Sequence, residues 1–178
     1  MIKNQKGFTL IELMFSVGIS TMLAYAIFAS MRVTSTSFET DSVRMTLQTS
    51  AREGLYRMVQ EIRESSPGRT TITGGNTLTF SIPNPTTPVT AGYAINWGDQ
   101  IQYAIGTGAN STKIIRTDLT TNVTTVMASD VTALSFTGNT VPPSRVTVSL
   151  SVQRSLTNGR NVPATAMQLS GQAKLRNT

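Results

Sequence analysis

Hydrophobic positions along this chain follow three successive rhythms. From Phe8 to Met31 they are almost unbroken, 24 residues with a single charge at Glu12. A helix of that length spans roughly 36 Å, enough for the hydrocarbon core of a bilayer. Farther on the apolar residues thin to one face. Leu47, Ala51, Leu55, Met58 and Ile62 recur at spacings of four, four, three and four, which predicts an amphipathic helix. Arg44, Arg52, Glu53, Arg57, Glu61 and Glu64 fall elsewhere around it and read as a solvated face, with Glu53 and Arg57 set to pair one turn apart. Gly54 weakens that helix by about 1 kcal/mol relative to alanine. The stretch between the two patterns, VTSTSFET, is polar and indifferent to helix. A helix carried through it from Phe8 to Glu64 would run roughly 85 Å. Ser65-Ser66-Pro67-Gly68 ends it.

From Arg69 onward the period falls to two. Leu78, Phe80 and Ile82 alternate with polar neighbours, as do Ile101, Tyr103 and Ile105, then Leu134 and Phe136, then Val146, Val148, Leu150 and Val152. Met167, Leu169, Ala173 and Leu175 predict a last strand with Gly171 as its bulge. Turn residues separate them: Gly74-Gly75-Asn76, the run from Gly106 to Asn110, Gly138-Asn139, Pro142-Pro143 and Asn158-Gly159. Pro83 to Pro88 forms a loop. Strands with one dry and one wet face are antiparallel, and no helix crosses between them. The fold class is therefore α+β: a long N-terminal α-helix, transmembrane in its first half, packed on an antiparallel β-sheet head.

Composition narrows the chemistry. Charged residues make up only 13% of the chain, and Thr, Ser and Asn fill the gap, which suits an extracytoplasmic β-rich surface. The net charge of +6 rests partly on Lys3 and Lys6. Without those two, 13 basic residues face nine acidic ones, a weak basis for nucleic-acid binding. Cysteine and histidine are both absent. That removes disulfides, thiol catalysis, the usual zinc ligands and the usual triad. Asp99, Asp118 and Asp130 stand apart with no D-x-D loop, so calcium binding would need them to meet in space. Gly106-Thr107-Gly108 lacks the spacing of a phosphate loop. Asn110-Ser111-Thr112 and Asn122-Val123-Thr124 match the glycosylation sequon in a chain so rich in Ser and Thr that chance explains both. Tyr93 and Trp97 flank a glycine-rich turn and read as core or rim. No catalytic residue, metal site, cofactor or small-molecule substrate emerges.

The remaining oddity is Glu12. A charge at the bilayer centre costs on the order of 2.5–3.5 kcal/mol, less near an edge, and such a group generally has a partner. Two readings leave it unexplained: an ordinary secretory signal cut after Ala24-Tyr25-Ala26, and a plain signal anchor. A cut between Gly7 and Phe8 would supply the partner. Phe8 then bears a cationic amine, and Glu12 lies one helical turn away on the same face. Its carboxylate could meet its own terminus or a neighbouring subunit's. Ser16, Ser20 and Ala24 recur every fourth residue, either a close-packing stripe or small residues merely tolerated.

Lys6-Gly7, Phe8, Thr9-Leu10-Ile11, Glu12 and Leu13, read together, resemble the leader of the type IV pilin and type II secretion pseudopilin superfamily. The resemblance implies a leader with Lys3 and Lys6, cut by prepilin peptidase after Gly7, methylation of Phe8, and a docking role for Glu12 in filament assembly. It also implies a bacterial inner-membrane protein with a cytoplasmic N-terminus and periplasmic head, partnered by other pilin subunits. The domains would be residues 1–7 (leader), 8–31 (transmembrane and assembly helix), 32–66 (amphipathic helix) and 67–178 (β-rich head). No proline interrupts residues 1–66, unlike many major pilins. Tyr103, Arg116, Val131, Leu134 and Phe136 lie in an order similar to the heads of J-type minor pseudopilins and W-type minor pilins. The expectation is a minor subunit of an initiation or tip complex, working by assembly rather than catalysis. A secreted β-rich binding protein released by ordinary signal cleavage is the alternative.

Overall fold

The computed structural model describes residues 7–90, 94–156 and 159–176. Helix α1 runs without interruption over Leu10–Arg63, 54 residues. The polar stretch that looked indifferent is helical throughout. The hydroxyls of Thr34, Ser35, Thr36, Ser37 and Thr40 each turn back onto a carbonyl three or four residues earlier, at 2.8–3.1 Å. That bond occupies groups that would otherwise compete for the helical ladder. The chain divides into two compact units between Ser42 and Val43. In the first, every described residue up to Glu39 is exposed.

In the second unit eight strands follow α1: β1 (Thr70–Thr73), β2 (Thr77–Pro83), β3 (Trp97–Ile105), β4 (Ile114–Asp118), β5 (Thr124–Ala128), β6 (Val131–Gly138), β7 (Arg145–Ser155) and β8 (Asn161–Lys174). They form two sheets, β1-β2-β3-β4-β5 and β6-β7-β8, and every pairing is antiparallel. The break comes at Asp130, whose φ of 59° turns the chain from β5 into β6. The strands β1 and β5 are short; β1 has a single apolar residue, and the three of β5 are consecutive, so neither shows a period of two.

One continuous core joins α1 to both sheets. On the helix Leu47, Ala51, Leu55, Met58 and Ile62 are buried, the predicted stripe, and Gly54 and Val59 widen it on either side. Each large side chain so buried contributes about 1.5–3 kcal/mol. From the five-stranded sheet come Leu78, Phe80, Ile101, Tyr103 and Ile114, with the Phe80 and Tyr103 rings stacked at 5.6 Å. From the other come Leu134, Phe136 and the alternating valines and leucine of β7.

Two glycines set how closely helix and sheets approach. A Cβ on Gly54 would lie 2.7 Å from the Met127 carbonyl oxygen of β5, so no larger residue fits without moving that edge. A Cβ on Gly171 would sit 3.0 Å from Val59 and 3.4 Å from Leu55. Gly171 is therefore not the bulge its sequence predicted. It pairs in regular register with Val148, and the irregularity between β7 and β8 lies at Val152 and Arg154. Its missing side chain makes room for the helix.

Candidate functional site

The first turn of α1 carries its own cap. Thr9 stands just before the helix, and its carbonyl accepts the first helical bond, from Leu13 N–H at 3.2 Å. The Glu12 carboxylate reaches back: its Oε2 accepts from Thr9 N–H and from Thr9 Oγ1–H, both at 2.9 Å, while Glu12 N–H donates to Thr9 Oγ1 at 3.3 Å. This is a reciprocal capping box, Thr-x-x-Glu, and the sequence carried its signature. The sequence points to a partner for Glu12 at the cleavage site; within the chain its partner is Thr9. Both carboxylate bonds converge on Oε2, and none among the described residues reaches Oε1. Gly7 and Phe8 are exposed, with open space around Gly7. Lys3 and Lys6 lie outside the described residues. Ser16 donates to the Glu12 carbonyl at 2.8 Å, and Ser16, Ser20 and Ala24 are all exposed on the bare helix.

A second polar constellation lies in the head. Tyr103 of β3 and Arg116 of β4 are register partners, and both meet Glu61 of α1. Arg116 grips the carboxylate through Nε at 3.0 Å and Nη2 at 2.7 Å, while the Tyr103 hydroxyl donates to Oε2. The Glu61 and Arg116 side chains are 21% and 22% exposed. This corrects the sequence expectation that Glu61 belongs to a solvated helix face. Arg116 falls on the core-facing side of β4, between Ile114 and Asp118, and a cation there needs a desolvated counter-ion. Burial and the Glu61 charge push the Tyr103 hydroxyl's pKa upward, and the Glu61 hydrogen bond raises that of Arg116. By contrast, Glu53 and Arg57 pair at 2.5 Å in the open, as their spacing predicted.

The three aspartates do not assemble. Among the described residues no group of three metal-capable side chains occurs. Asp118 Oδ1 accepts the backbone N–H groups of Thr120 at 2.8 Å and Thr121 at 3.1 Å, which holds its pKa below the usual carboxylate range. Asp130 pairs with Arg154 at 2.7 Å. Trp97 is half-buried beneath the Arg69 guanidinium, 5.7 Å from its ring centre. Tyr93 and Asn158 lie outside the described residues. Asn110 sits in the turn before β4 and accepts from Lys113, and Asn122 adopts a positive φ of 58°.

A capped helix long and apolar enough to cross a membrane, continuing into an antiparallel head, makes an α+β, pilin-like fold and fits a membrane-anchored subunit. Residues 2–28 match the family described as the prokaryotic N-terminal methylation motif, and that match supports membership of the type IV pilin and pseudopilin superfamily. Comparison with curated proteins and with solved structures returned no match.

Proposed function

We propose that this chain is a minor subunit of a type IV pilus or type II secretion pseudopilus, acting in an initiation or tip complex. Prepilin peptidase removes residues 1–7, Phe8 is methylated, and the helix enters the inner membrane with the head in the periplasm. The subunit works by assembly and carries no catalysis. The observation that carries this reading is the register of Gly7, Phe8 and Glu12 within the methylation motif. The capping box supports it further. With Oε2 held by Thr9, the Glu12 carboxylate is oriented at the helix start and keeps Oε1 for a terminal amine. Such an ion pair would fix subunit register as much as stability. The meeting of Tyr103 and Arg116 at Glu61 is consistent with the J-type or W-type head, since two residues carrying that resemblance serve one structural role.

Intact mass measurement of the purified protein tests the processing step. A mature chain beginning at Phe8 and one methyl group heavier is expected; a terminus at Ile27 would replace this reading with ordinary secretion. Glu12→Ala should leave expression and cleavage unchanged and lower incorporation into filaments. Wild-type incorporation of that variant would remove Glu12 from the docking role.

A further inference from the structure

One corner of the head gathers cations that pair with no acid among the described residues. Arg63 ends α1, Arg176 follows β8, and the Arg176 N–H donates to the Arg63 carbonyl at 3.3 Å. Between them Lys174 closes β8, and its register partner across the ladder is Arg145, the first residue of β7. Directly opposed like charges destabilise a sheet. Arg63, Lys174, Leu175 and Arg176 line a recess of about 380 Å³. Leu175 itself is buried, turned toward the core, so the cationic side chains on either side of it supply the exposed lining. None of the ion pairs among the described residues involves these four cations. The nearest acid in sequence, Glu64, lines a different groove with Tyr56 and Arg57. The backbone bond between Arg176 and Arg63 and the register pairing of Arg145 with Lys174 hold these like charges near one another, where they repel.

We propose that this corner is an interaction surface for a carboxylate-rich patch on a partner subunit. A carboxylate seated in the recess would be forked by Arg63 and Arg176, and would relieve the opposition of Arg145 and Lys174. Nucleic acid fits less well. No aromatic side chain lines the recess to stack a base, and the cations form a corner instead of a track along a backbone. The partner's identity as a subunit rests on the assembly role proposed above; the anion site itself does not.

The test uses the full chain in zwitterionic detergent micelles, with a fluorescent hexaglutamate peptide and a single-stranded oligonucleotide of equal charge as probes. The peptide should bind with an affinity that falls as salt rises. The triple variant Arg63→Gln, Lys174→Gln, Arg176→Gln should bind it roughly tenfold more weakly. The matched variant Arg44→Gln, Arg52→Gln, Arg160→Gln should bind as wild type does. Lys174→Gln alone should raise the melting temperature by relieving Arg145, a readout that needs no ligand. Equal weakening in both triple variants would reduce the effect to net charge and overturn the site. Tighter binding of the oligonucleotide than of the peptide would overturn the choice of partner. Either failure leaves the mass and incorporation measurements on Phe8 and Glu12 untouched.

Discussion

Helix α1 contains two glycines in its interior whose surroundings differ completely. Around Gly18 nothing lies within 4 Å of where a Cβ would stand, whereas at Gly54 that position is 2.7 Å from a backbone oxygen. The difference holds for the flanking residues too. Phe15, Ile19, Met22 and Phe28 are more than half exposed, while Ala51, Met58 and Ile62 are fully buried. An apolar surface of that extent, left bare by the chain itself, needs a cover supplied from outside. The rear of the helix finds its cover within the chain. The two stretches thus share one secondary structure and obey different constraints: the first must suit a cover from outside the chain, the second must suit its own two sheets.

The largest way to break that contrast is to remove the polar clamp on the rear half. Glu61→Ala leaves Arg116 on the core-facing side of β4 without its counter-ion and Tyr103 without its acceptor. Because the pair is only about one-fifth exposed, a loss of about 3 kcal/mol is expected, the low end for a buried pair. In thermal unfolding of the head this is a fall of roughly 6–12 °C. Glu12→Ala, the front-half carboxylate, should leave that transition where it is. Equal shifts in the two variants would abolish the distinction between an internal and an external partner.

The glycines sharpen the same contrast at a smaller scale. Alanine is the better helix former by about 1 kcal/mol, so propensity alone makes both Gly→Ala changes stabilising. Gly54→Ala should instead destabilise by about 1–2 kcal/mol, the cost of overpacking against a backbone that cannot yield cheaply. Gly18→Ala meets open space and should leave the unfolding of the head unchanged. A melting temperature for Gly54→Ala at or above wild type would show that β5 shifts freely away from the helix.

How far the sequence could be read follows from these same residues. The stripe from Leu47 to Ile62 and the alternation of β2, β3, β6 and β7 were legible because each is a run of apolar residues at one fixed period. Glu61 was not. A glutamate among charged neighbours looks solvated until β4 brings Arg116 against it, 55 residues later in the chain. In sequence Gly54 reads as a weak point and Gly171 as a bulge, since close approach is a property of two elements at once. The Thr9–Glu12 cap was legible in principle. It was eclipsed by the stronger signal of Gly7 and Phe8 lying beside it.

The smallest expected effect concerns Tyr103, and it appears only at high pH. Its hydroxyl is buried and donates to an anion, so folding raises its pKa above the ordinary tyrosine value near 10. Stability from this group is therefore complete below pH 10. Above it, the unfolded chain gives up the proton while the folded chain keeps it, and the balance moves toward unfolding. At pH 11 the loss amounts to about 1.4 kcal/mol. Tyr103→Phe should start less stable at neutral pH, having lost one hydrogen bond to a charged acceptor. It should then decline less steeply between pH 9 and 11 than wild type, on a pH axis spaced finely around the tyrosine range. Parallel curves for the two proteins would mean that Tyr103 ionises as readily folded as unfolded. The clamp on Glu61 would then be an exposed contact like Glu53 and Arg57, and the rear half of α1 would be held by its apolar stripe alone.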